Sequence, residues 1–102
     1  MDKKRLLMEI ERLIRDTNRT TLNPLFPEFS PAHLEPSTQM IADARAEYLL
    51  EFSRITQLSL EGQHIGIDEV RVLRDKRMIY DELIAASQAL DTAIKRGYLD
   101  IE

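Results

Sequence analysis

Apolar residues recur at helical rather than alternating spacing along almost the whole chain, and the pattern divides into three blocks. In the first, Leu6, Leu7, Ile10, Leu13 and Ile14 form one stripe, with Asp2 placed to cap the first turn, which predicts a helix over about 2–16. In the second, Met40, Ile41, Ala44, Tyr48, Phe52, Ile55 and Leu58 share a broad face. That helix is expected to start at Ser37 or Thr38, just after Pro36, and to stop before Gly62, spanning about 37–61. In the third, Val72, Ile79, Leu83, Ala86, Leu90, Ala93 and Ile94 form a tight stripe over about 68–96, flanked by Leu73, Tyr80 and Ile84. Asp68 is its expected N-cap, Ile67 is expected to staple against Val72, and Gly97 followed by Tyr98 marks its end.

The fold expected is therefore all-α. A long antiparallel hairpin of the second and third helices joins the shorter N-terminal helix in a three-helix bundle, which dimerises. Ala85, Ala86, Ala89 and Ala93 would let a neighbouring helix approach the third helix closely. No internal repeat, low-complexity tract or strand-like alternation stands out.

Between the first two helices lies a connector, about 17–36, that holds all four prolines, Pro24, Pro27, Pro31 and Pro36, so no continuous helix crosses it. It also carries Leu22, Leu25, Phe26, Phe29 and Leu34, too much apolar surface for a solvated linker. Either it folds over the hairpin as a lid or it docks a partner. Leu49 and Leu50 fall outside the main stripe of their helix and point to a second neighbour. These seven residues are the interaction candidates.

A length of 102 residues fits one small domain, and zero cysteines exclude disulfides, thiolate zinc sites and cysteine nucleophiles. That composition fits a reducing cytoplasm, the compartment expected here, and no export signal or membrane span is read. Net charge is −4, which disfavours nucleic acid and anionic membranes as general partners. Only residues 1–21 lean positive, with six basic and four acidic side chains. There Arg5, Arg12, Arg15 and Arg19 share an arc opposite the apolar stripe, a face either paired within the helix or open to phosphate or an acidic helix, the former of these two ligands being the basis of an alternative reading as a nucleic-acid accessory protein.

Catalytic constellations are missing. Asp43, Glu47 and Glu51 recur every four residues, but the Glu-x-x-His pairs of a carboxylate-bridged metal bundle do not occur. His33 and His64 sit in connectors without ligand spacing, and three glycines allow no phosphate loop. Lys76, beside Val72, Ile79, Tyr80 and Leu83, is the one side chain around which a small helical enzyme or ligand-binding bundle can be imagined. A snorkelling lysine is the plainer reading. The sequence thus expects a non-enzymatic interaction module, an adaptor, regulator or chaperone-like subunit. It needs no cofactor or metal, and its partner is a second copy or another protein.

Overall fold

A computed structural model describes residues 2–101. Its elements are α1 (Lys3–Leu22), two short 3-10 turns (Asn23–Leu25 and Pro31–His33), α2 (Leu34–Leu60) and α3 (Ile67–Lys95), with no strand among the described residues. The chain groups into two compact units: residues up to Leu34 together with those from Gln88 onward, and Glu35–Ser87.

The all-α expectation holds, while each helix boundary shifts for a local reason. Asp2 caps α1 as expected, its carboxylate accepting the Arg5 amide at 2.8 Å. The helix then runs six residues past Asp16, through Thr17, Thr20 and Thr21, which favour helix weakly. Tertiary contacts explain the extension. Leu22 packs on the cluster of Ala93, Tyr98 and Leu99, and the Arg19 guanidinium grips Asp100 and the Gly97 carbonyl. Pro24 then stops the helix, serving as the early proline of the first 3-10 turn.

The second helix starts at Leu34 instead of Ser37 or Thr38, which places Pro36 inside its first turn. Amides in the first turn have no partner within the helix, so proline is tolerated there. At its other end Gly62 takes φ +79°, its amide donates to the Ser59 carbonyl and the Gln63 amide to the Leu58 carbonyl. These two bonds are a Schellman closure.

The N-cap of α3 is Gly66, not Asp68. Glu69 accepts the Gly66 amide at 3.0 Å, the half of a capping box that reaches back from the third helical residue. Asp68 is a solvated first-turn acid, and Ile67, the first helical residue, stays 65% exposed instead of stapling inward. The other end follows the sequence expectation: Gly97 has φ +74°, with Gly97 N–H bonded to Ile94 and Tyr98 N–H to Ala93.

Core is scarce in both units. In the first unit Ala93, Tyr98 and Leu99 are buried, with Leu22, Phe29, Leu90 and Ile94 packed around them. In the second, Ala44 alone is buried. Between residues 67 and 87 the half-buried side of α3 is Glu69, Leu73, Lys76, Tyr80, Leu83 and Ile84, whereas Val72 and Ile79 are exposed. The inward face is thus rotated onto the flank of the stripe read from the sequence. Tyr80 accounts for part of this, since its ring lies 6.2 Å from that of Tyr48 and its hydroxyl takes the Arg45 Nε–H at 3.1 Å.

Candidate interaction surfaces

The first surface is the α1 stripe. Leu6, Leu7, Ile10, Leu13 and Ile14 remain 43–67% exposed, and α1 has no buried residue. At roughly 1.5–3 kcal/mol per fully buried aliphatic side chain, covering the exposed half of these five would contribute roughly 4–7 kcal/mol per copy. Two shallow grooves border the stripe. One, of 270 Å³, is lined by Leu6, Glu9, Ile10, Arg12, Leu13 and Asp16. The other, of 380 Å³, lies where α1 meets the C-terminal segment, between Glu11, Ile14, Arg15, Arg96 and Tyr98.

The charges of α1 obey a seven-residue rhythm that spacing of apolar residues alone does not reveal. Asp2, Glu9 and Asp16 repeat at one register, and Arg5, Arg12 and Arg19 at another three residues on. At seven residues to two turns, each set runs along one side of the helix. The arginine arc is partly engaged: Arg12 bonds Glu9 at 2.9 Å, and Arg19 reaches Asp100 and the Gly97 carbonyl. The bond between Arg19 and Asp100 raises the arginine above its ordinary pKa and lowers the aspartate below its own. Asp100 is fixed a second time through its backbone amide, which donates to Asn23 Oδ1 at 3.1 Å.

The connector divides its candidates between core and surface. Leu22 and Phe29 join the first unit's cluster, and Leu34 is half-buried. Phe26 packs edge-on against Phe29, with centroids 5.8 Å apart, and keeps 39% exposure; Leu25 keeps 67%. Phe29 also stacks on His33, whose Nδ1 accepts the Ser30 amide at 3.1 Å. His33 is thereby a capping and stacking residue.

In the second unit Leu49 and Leu50 are 56% and 65% exposed, alongside Met40, Phe52 and Leu60 on the same helix. Lys76, half-buried, sends its ammonium to Glu47 at 3.3 Å, the geometry of a lysine whose stem covers apolar surface while its head finds a carboxylate. The three regularly spaced acids of α2 each have their own partner. Asp43 accepts from Gln39, Glu47 from Lys76 and Glu51 from Arg54, whose bond holds the Glu51 carboxyl below the usual range. Among the described residues no group of His, Asp and Glu is arranged to hold a metal ion, and no buried polar side-chain atom lacks a partner. No helix is long and apolar enough to cross a membrane.

The chain matches no protein family, no curated protein and no solved structure. The surfaces themselves therefore carry the functional reading.

Proposed function

We propose that this chain is a non-enzymatic interaction module that works by presenting apolar helix faces to another polypeptide. One observation carries the reading. Among the described residues nineteen large apolar side chains are exposed, spread over every helix, while the buried core consists of Ala44, Ala93, Tyr98 and Leu99. Isolated exposed leucines are ordinary on soluble proteins, but a run such as Leu6, Leu7, Ile10, Leu13 and Ile14 on one helix face marks a surface that meets a partner. A partner supplies the burial that a small chain lacks on its own. Completion of a helical bundle, with α2 and α3 as an antiparallel hairpin, is the architecture this reading favours. Three side-chain contacts support it, since residues 45–48 of α2 meet residues 76–80 of α3 through Arg45 and Tyr80, Glu47 and Lys76, and Tyr48 and Tyr80. A reducing cytoplasm remains the compartment proposed for a chain without cysteine.

The test combines solution mass by light scattering over a concentration series with binding of an apolar fluorescent dye at each point. Self-association that suppresses dye binding, or a monomer that binds dye strongly, is the expected outcome. A strict monomer that binds no dye would remove the reading.

A further inference from the structure

We infer that α1 pairs with α1 of a second copy of this chain, antiparallel, about a two-fold axis beside Ile10. This rests on the interaction reading and narrows it to one face and one occupant. The apolar positions are Ile10 itself and the residues three and four away on either side: Leu7 and Leu6 before it, Leu13 and Ile14 after it. That spacing reads the same from both ends of the helix. A reversed copy sets Leu6 opposite Ile14, Leu7 opposite Leu13, and Ile10 opposite its own copy. Every contact then occurs twice and the interface closes on itself, which is what a two-fold pair requires. Residues three and four apart share a helix face, so all five are presented together, and none is buried within the single chain.

The charges permit the pairing. A two-fold, antiparallel arrangement brings like edges together, placing Glu9 near its own copy on one side and Glu11 near its own copy on the other. Glu9 is already bonded to Arg12 at 2.9 Å, and Glu11 shares its groove with Arg15 and Arg96, so each acid arrives with a guanidinium alongside. A lipid surface suits this helix less well. Helices that lie in a bilayer interface flank their apolar face with Lys and Arg, whereas Asp2, Glu9 and Asp16 run along one edge of this stripe.

Because the chain contains no cysteine, single introduced thiols report the geometry without interference. Under mild oxidation Ile10→Cys should form a covalent dimer and Leu6→Cys alone should not, while a mixture of Leu6→Cys and Ile14→Cys should cross-link to each other. Ile10→Asp, with helix content followed by circular dichroism, should weaken association at least about a hundredfold, equivalent to about 2.8 kcal/mol. Self-cross-linking of Leu6→Cys as fast as Ile10→Cys would mean parallel pairing and overturn the inference. A dimer of native strength in Ile10→Asp would place the contact on another face, overturning the inference while leaving the interaction reading intact. A dye-binding monomer would do the same, and a monomer that binds no dye would overturn both. Binding of the monomer to phosphatidylserine vesicles, lost in Ile10→Asp, would assign the stripe to lipid instead and overturn the pairing.

Discussion

Leu99 offers the sharpest test of how the first unit is held together. It is 3% exposed, the most buried large side chain among the described residues, and it sits with Ala93 and Tyr98 at the centre of a cluster that includes Leu22 of α1 and Phe29 of the connector. Leu99→Ala removes its side-chain packing from that cluster. Leucine-to-alanine changes in cores destabilise by about 2–5 kcal/mol, depending on how far the surroundings close in. With Phe29 and Leu90 only partly buried, the surroundings have room to collapse, so the low end, about 2–3 kcal/mol, applies. In a chain of 102 residues, with total stability of about 5–15 kcal/mol, this is a large share and should lower the melting temperature by about 8–24 °C. Urea unfolding followed by circular dichroism, at one fixed protein concentration because self-association would shift the midpoint, measures it directly. Leu25→Ala, removing the same atoms from a side chain that is 67% exposed, is the matched control and should change stability by less than about 1 kcal/mol. Equal effects of the two substitutions would refute the reasoning. They would mean that the segment after Gly97 contributes no core and that α1 is not anchored through it.

Three further outcomes follow from local geometry. Gly97→Ala forces a side chain onto φ +74° and should destabilise by about 1–2 kcal/mol, seen as a drop in thermal midpoint of about 4–16 °C; no change would mean α3 does not close at Gly97. Glu28 occupies φ +59°, so Glu28→Gly should relieve strain and leave a net gain of about 0.5–1 kcal/mol after the greater chain entropy of glycine; a loss in thermal midpoint would contradict the turn. Asp100 has its pKa lowered by the bond from Arg19, so its contribution is in place above the ordinary value of 3.8 and disappears as pH falls through the lower folded value. Amide exchange at Asp100, whose N–H donates to Asn23, should therefore be protected relative to its intrinsic rate at pH 5 and lose that protection only under strong acid, and Asp100→Asn should abolish that pH response.

Much of the fold was legible because helices announce themselves by periodicity and glycine. Gly62 and Gly97 close their helices with the expected positive φ, and Asp2 caps α1 as read. The starts of α2 and α3 depart from the sequence expectation for one cause: the position of a residue within the first turn overrides its usual role. Pro36 breaks a helix interior but not a first turn, and Asp68 caps only where no glycine with a Glu three residues ahead precedes it. The extension of α1 past Asp16 depends on Arg19, Leu22, Leu99 and Asp100, residues about eighty positions apart in sequence, and no local pattern encodes it. Among the interaction candidates, Leu25, Leu49 and Leu50 look alike in sequence to Leu22 and Phe29, yet the first three are exposed and the last two pack into the cluster.

The N-terminal stripe shows why apolar periodicity identifies a helix face without saying what covers it. Leu6, Leu7, Ile10, Leu13 and Ile14 are as regular as the positions around Leu90 and Ala93, and regularity predicts burial for both. Only the second set is supplied with neighbours by the chain itself, because the turn at Gly97 folds Tyr98 and Leu99 back toward Ala93. Among the described residues of the first unit, the contacts between α1 and the C-terminal segment begin near Ile14 and continue through Arg19 and Leu22. The N-terminal half of α1 is therefore left with its apolar face intact. In the pairing proposed above, roughly 4–7 kcal/mol of burial would be realised there, because a reversed copy of a pattern symmetric about Ile10 would meet it at every position.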